Sequence, residues 1–336
     1  MRATHPAIRR VTACSVLVLA LAGCRNEQHE LSEPDISSIA PIQAVLIDEA
    51  IDLMDKHGFY ATGPGWQTAR TRALELSKGA SDAADSRRII DVALGVAGGP
   101  HSKIADPIVA SASRAVQSFP IVDDLGGGVV SLTLPSFSGA NPSQIDEYVM
   151  SAWKSIEKLA SEAKCGWILD VRENSGGNLW PMMGAISPLL DLGPVMSFSD
   201  RDDKRDSVLI AENGISLGET KVIAFDSALF DEASRSVLTR RVVVLTGPNT
   251  GSSGEAIPIA FTGQDNAMTM GQPTYGLSSA NRSFTLADGS ILILTVAVFA
   301  DRTGILYGAP VEPLLVSNDY GSSLVSTAAK ELTARC

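Results

Sequence analysis

Residues 242–261 read VVVLTGPNTGSSGEAIPIAF: an apolar, β-branched run, a turn rich in Gly, Asn and Thr, and a helical-looking segment. Ser252 and Ser253 sit side by side in the turn. A serine at the mouth of a helix can cap it by accepting from a free amide, its commonest role there. It can also attack a carbonyl. The positive helix end and the amide of the next residue then stabilise the oxyanion, provided that a base takes the hydroxyl proton. Phosphate binding is excluded, because GPNTGSS lacks the spacing and the lysine of GxxxxGK[ST]. The elbow GxSxG is excluded as well: Gly251 and Gly254 flank the pair, but neither serine has glycine at both offsets.

A second turn favours catalysis over capping. In LDVRENSGGNLW, Gly176 and Gly177 follow a buried strand, where their amides can approach a substrate carbonyl unobstructed by side chains. Both turns must be delivered by strands. From about Phe119 the chain alternates: GGGVVSLTLPSF reads as a strand, Asn141 and Pro142 open a helix with the stripe Ile145, Val149, Ala152, Ile156, Leu159 and Ala163, and GWILDV and VVVLTG are buried strands. That order predicts an α/β core with a largely parallel sheet and ligands at the carboxyl ends of its strands. Upstream, helical stripes run from Pro41 to Gly58, near Gly65–Ser77 and over Asp82–Ala97, which predicts a small helical subdomain.

Taken in order, ILDVRENSGGNLWPMM, VVVLTGPNTGSSGEAIPIAF, MGQPTYGLSSANRSFTLADGSILILTVAVF and GAPVEPLLV resemble the core of the tail-specific, or C-terminal-processing, serine proteases over roughly residues 119–318. The resemblance implies an α/β, crotonase/ClpP-like core with an N-terminal helical subdomain. It also implies Ser253 as nucleophile and an oxyanion hole from the Gly177 and Gly254 amides. Members with a serine–lysine pair carry the lysine directly after the glycine of PTxG, where this chain has Leu277, and the only lysine after Ser253 is Lys330. The stretch between His101 and the first core strand is also too short for the PDZ domain of those members. Both departures point to the tricorn-like branch, which includes the nisin-resistance proteins and takes its base from an amino-terminal histidine. GGPHSKI makes that histidine His101; nothing in the sequence fixes what orients it, Ser102 and Glu312, in PVEP, being the candidates, and Glu312 could equally cap the sheet edge. At the ordinary histidine value near 6.5, activity should fall through the mildly acid range. The FTL and ILILTVAVF hairpin around Asp288 and Gly289 is expected to border the peptide cleft.

The amino terminus indicates where such an enzyme works. Arg2, Arg9 and Arg10 precede an apolar run from Val11 to Leu21 that is shorter than the ~20 residues of a membrane span, and LAGC follows. Residues 1–23 are expected to be a lipoprotein signal and Cys24 the lipidated first residue. Residues 24–40 would then be a leash, 41–118 the helical subdomain carrying the base, and 119–336 the protease core. Arg25 favours an outer membrane if the cell has two. Loss of residues 1–23 takes the formal charge from −11 to −14, which argues against nucleic-acid partners and leaves a peptide or unfolded protein as the expected one. No pair of close CxxC motifs suggests a metal, no cofactor is expected, and nothing specifies an oligomeric state. Cys165 and Cys336 could pair in an oxidising compartment. A peptide- or lipid-binding lipoprotein of the same fold without catalysis, and a structural envelope lipoprotein, remain as other readings.

Overall fold

Three helices open the described part of the chain: α1 (Ile42–His57), α2 (Gly63–Ser77) and α3 (Ala83–Ala97). The computed structural model describes residues 42–106, 117–234, 237 and 239–336, so the signal, Cys24 and the leash lie outside the described residues. Ala44, Ile47, Ile51 and Met54 of α1, and Ile90, Ala93, Leu94 and Ala97 of α3, recur at helical spacing and are buried. Asp82 caps α3 by accepting from the Asp85 amide at 2.8 Å. Gly58 ends α1 where the chain crosses the end of α3: a Cβ there would lie 2.7 Å from Met54 O and 2.8 Å from Ala97 O. The helices do not close this core alone. Leu286, Leu292 and Leu294, from a sheet hairpin, complete it.

The chain continues through β1 (Lys103–Ala105), β2 (Ile121–Gly126), β3 (Val129–Thr133), α4 (Pro142–Leu159), β4 (Gly166–Asp170) and α5 (Leu179–Ile186). A meander follows, β5 (Gly193–Asp200), β6 (Arg205–Ala211), β7 (Gly214–Leu217) and β8 (Thr220–Ala224), then α6 (Ser227–Ser234). The last part comprises β9 (Val242–Thr246), α7 (Ala256–Phe261), β10 (Ala267–Gly271), β11 (Ser279–Thr285), β12 (Ile291–Asp301), β13 (Leu315–Val316) and α8 (Gly321–Thr333).

One six-stranded sheet has the order β13-β10-β9-β4-β3-β2, parallel except for the β2–β3 hairpin. Val130, Trp167, Val242 and Ala267 lie in register across it. Alternate residues sort to two cores. Trp167, Leu169, Val242 and Val244 pack with Tyr148, Ala152, Trp153 and Ile156 of α4, whereas Ile168, Val243 and Leu245 pack with Leu324, Ala328 and Leu332 of α8. A disulfide joins Cys165, just before β4, to Cys336, just after α8.

The fold is α/β, but "largely parallel" describes only this sheet. The second sheet, β1-β12-β5-β6-β7-β8 with β11 paired to β12, is antiparallel throughout. The three helices rest on its β11–β12 hairpin, so the amino-terminal part shares its core with the sheet. Among the described residues no helix is long and apolar enough to cross a membrane.

Candidate active site

Strands β4 and β9 are adjacent and parallel, so the two glycine-bearing turns leave the same edge of the sheet. Buried polar groups lock them together. Thr250, fully buried, donates to Val171 O at 2.8 Å, and the Gly251 amide donates to Asn174 O at 3.0 Å. Asn174, also fully buried, accepts from the Gly176 amide at 2.9 Å and donates to Leu134 O at 3.0 Å. Ser252 adopts φ 53°, a left-handed conformation costly for a residue with a side chain. Glu255 holds it there: its carboxylate accepts from the amides of Ser252, Gly276 and Leu277 and from the Thr274 hydroxyl. Burial raises the Glu255 pKa, and these four donors work against the rise. Leu277, which stands where the serine–lysine members carry their lysine, thus supplies a backbone donor to Glu255.

Gly176 and Gly177 have φ 101° and 112°. A Cβ on Gly177 would lie 2.1 Å from Phe137 O, and one on Gly176 would lie 2.9 Å from the Ser253 nitrogen, so both positions require glycine. Ser253 Oγ donates to Gly177 O at 2.8 Å, a resting arrangement. Of the two amides expected to bind an oxyanion, that of Gly177 has no acceptor among the described residues, whereas that of Gly254 donates to Gly251 O at 2.8 Å. Its proton is therefore open to a second acceptor only by sharing or after the turn opens. Helix-dipole help is also smaller than the sequence suggests, because a single 3-10 turn over Ser252–Gly254 precedes α7, which has only six residues.

His101 lies on the other side, on the tight turn after α3. Gly99 has φ 65°, and a Cβ on Gly98 would overlap Ser102 Oγ at 2.0 Å, which explains the glycine pair of GGPHS. The His101 Nδ1 is 2.8 Å from Ser279 Oγ, and Asn281 Nδ2 donates to His101 O at 3.1 Å. Neither candidate orienting residue touches the ring. Ser102 Oγ instead donates to Gly98 O and accepts from the Thr295 amide, pinning the turn to β12, and Glu312 is exposed. Burial, reinforced by the Lys103 charge, pushes the His101 pKa down to about 4. The ordinary value near 6.5 therefore does not describe this histidine, and a neutral Ser279 hydroxyl stabilises an imidazolium less than a carboxylate would. No hydrogen bond joins His101 to Ser253 in this arrangement. Both border β11: the His101 ring is hydrogen-bonded to Ser279, and the next residue, Ala280, lines the cavity that Ser253 also lines.

That cavity, about 480 Å³, is lined by Ser253 together with Leu179, Trp180, Phe198 and Phe299. Its border includes Ala280 and Asn281 of β11 and Val296 and Ala297 of β12, where the sequence puts the peptide cleft. Among the described residues no group of three or more His, Cys, Asp or Glu side chains could hold a metal ion.

A serine beside a glycine amide that has no acceptor among the described residues, at the carboxyl edge of a parallel sheet, is an arrangement that can attack a carbonyl and hold its oxyanion. Residues 128–313, more than half of the chain, match the model of peptidase family S41; the protein belongs to that family and is a serine protease of its tail-specific branch. Over 292 residues it is 29% identical to the nisin-resistance protein of Lactococcus lactis subsp. lactis, covering 87% of this chain and 88% of that one. Two of the solved structures that share the fold illustrate it. One is a lipoprotein from Streptococcus agalactiae, with TM-score 0.71 and 24% identity over 89% of this chain and 98% of that one. The other is a photosystem II D1 C-terminal processing protease, with TM-score 0.58 and 13% identity over 85% of this chain and 97% of that one.

Sequence reasoning missed Ser279, Asn281 and Asn174. Ser279 and Asn281 both lie in the quoted LSSAN stretch, but Ser279 is 178 residues from His101, so no local spacing could pair them.

Proposed function

We propose that the protein is a membrane-tethered endopeptidase working through Ser253 and His101 on peptides or protein tails. The observation that carries the pairing is that both border β11, where Ser279 is hydrogen-bonded to His101 and Ala280 lines the cavity that Ser253 also lines. In the tautomer that leaves Nε2 unprotonated, His101 Nδ1 donates to Ser279 Oγ. Substrate entry releases Ser253 Oγ from Gly177 O. As Oγ attacks the peptide carbonyl carbon, Nε2 takes its proton and later gives it to the departing amine. The Gly177 amide binds the oxyanion, with Gly254 as second donor once its proton is shared. Water then repeats the sequence on the acyl-enzyme.

In this reading residues 1–23 are removed, Cys24 is acylated, and residues 24–40 form a leash that holds the helical part (41–118) and the protease core (119–336) outside the cytoplasm. The LAGC sequence, the lipoprotein among the fold relatives and the Cys165–Cys336 bridge all favour an extracytoplasmic, oxidising setting. Lipid chains on one cysteine suffice for stable anchoring.

The test is labelling with a fluorophosphonate. Wild-type protein should be modified at Ser253, and Ser253→Ala and His101→Ala, verified as folded, should not. A folded wild-type protein that resists labelling and cleaves no peptide would replace this reading with a peptide-binding lipoprotein of the same fold. The pH profile is a second check. A base with a pKa of about 4 is neutral above that value, so kcat/KM should stay level from about pH 5 to 8 and fall as the pH approaches 4.

A further inference from the structure

The nucleophile turn has two flanks. At its Ser253 end lies the cavity lined by Leu179, Trp180, Phe198 and Phe299, which takes no residue from 271–279. At its Gly251 end lies Tyr275, in the PTYG stretch between β10 and β11. A Cβ on Gly251 would lie 3.5 Å from the Tyr275 Cβ, 3.9 Å from its Cγ and 3.7 Å from Ser175 O, so the tyrosine stands over the seam between the two glycine-bearing turns. Its backbone is fixed. The Tyr275 amide donates to Thr250 O at 2.8 Å, the next two amides donate to Glu255, and Thr274 is bonded to Val311 in both directions. Its side chain is left in solvent. Among residues 271–280 Tyr275 alone is exposed, to 66%. Its hydroxyl has no hydrogen-bond partner, and its ring has no aromatic or cationic neighbour, among the described residues.

A single exposed aromatic is ordinary on a protein surface. Tyr275 differs in its place and in its rigidity. Gly251 precedes Ser253 by two residues, a span of at most about 7 Å, and an extended peptide covers that distance in about two residues. A tyrosine offers a large contact area with only two side-chain torsions to order, and here the fold has already ordered its backbone. Resting on the peptidase reading above, we propose that Tyr275 is a specificity-determining contact for the substrate. Its ring packs on an apolar side chain within about two residues of the scissile bond, on the side away from the cavity. The cavity thus reads the peptide on one side of the bond and Tyr275 reads it on the other.

The test begins with binding to the full chain carrying Ser253→Ala, so that turnover does not enter. The probe is fluorescein-labelled casein, an unfolded protein. Adding Tyr275→Ala should weaken binding about tenfold, whereas adding Tyr275→Phe should keep most of the affinity. The unfolding midpoint should move with neither, because the ring is exposed and the backbone bonds of the stretch remain. Cleavage of unlabelled casein supplies the register. The cuts made with Ser253 intact, mapped by mass spectrometry, should show an apolar preference at one position within two residues of the bond. Tyr275→Ala should erase that preference and Tyr275→Phe should keep it, while preferences across the bond persist. No binding by the Ser253→Ala protein, equal binding with and without Tyr275→Ala, or a binding loss matched by a fall in the unfolding midpoint overturns the contact. So does an unchanged set of cuts. A binding loss at Tyr275→Ala in a protein that cuts nothing with Ser253 intact keeps the contact and sinks the peptidase reading instead.

Discussion

The two halves of the candidate site are built to different tolerances. On the parallel-sheet side, the turn bearing Ser253 is fixed by Thr250, Asn174 and Glu255, all fully buried and each with more than one hydrogen bond. On the antiparallel-sheet side, the ring of His101 is held by one hydroxyl and its carbonyl by one amide, on a half-buried turn. A nucleophile beside an oxyanion donor needs tenths of an ångström, and a chain of buried donors and acceptors provides that. A base must change protonation and partner during the reaction, and a single neutral hydroxyl permits it. The difference predicts that substitutions in the buried groups clamping the Ser253 turn will act on folding and rate together, and those around His101 on pH dependence.

Glu255→Ala should have the largest effect. It leaves the amides of Ser252, Gly276 and Leu277 and the Thr274 hydroxyl without an acceptor, and removes the force holding Ser252 at φ 53°. Leaving buried donors unsatisfied should cost about 1–3 kcal/mol of stability for each that finds no new partner. In whatever fraction folds, fluorophosphonate labelling should slow by about a thousandfold or more. Chemical denaturation and labelling rates check both; near-normal values for each would show that the turn does not depend on its clamp.

The disulfide tests the same side from below. Cys165→Ser releases the end of α8 from the start of β4, and should cost about 3 kcal/mol measured by denaturant unfolding. The bridge lies at the opposite end of β4 from the turn carrying Gly176 and Gly177, so the labelling rate of the folded protein should change little. A large loss of rate at full occupancy of the native state would mean that the sheet transmits strain to Ser253.

The same contrast separates what was legible in the sequence from what was not. The parallel side is written locally: buried strands β4 and β9 appear as continuous apolar runs, their turns as glycine-rich breaks, and α4 as a clear stripe. The base side is written in pairings distant in sequence. The strands β5–β8 are partly exposed and mix polar with apolar residues, so no continuous apolar run marks them. GGPHS exposes His101 as a candidate through its glycines, yet its partner Ser279 and its burial, hence its low pKa, exist only after β11 and β12 fold against α3. Ser102 and Glu312 were reasonable candidates from neighbourhood and motif. Ser102 is drawn instead to Gly98 O and Thr295, and Glu312 remains in solvent.

The smallest effect, and the most informative about the base, is expected at Ser279. Ser279→Ala removes the one side-chain partner of His101 Nδ1 while leaving the Asn281 bond to the His101 carbonyl, so kcat/KM should fall by only about tenfold. Ser279→Asp distinguishes orientation from packing. A carboxylate on Nδ1 favours the imidazolium, so the midpoint of acid inactivation should rise from about 4 toward neutrality even if the maximal rate is modest. Stability should respond with the opposite sense. In the wild type, His101 has a folded pKa below its unfolded value. The unfolded chain therefore takes up the proton first, and stability is lost as pH falls from about 6.5 toward 4. In Ser279→Asp, with the folded pKa raised, that loss should shrink. A rate profile that shifts together with a flattened stability profile would place the titrating base at His101; a shift in neither would assign the Ser279 contact to packing alone.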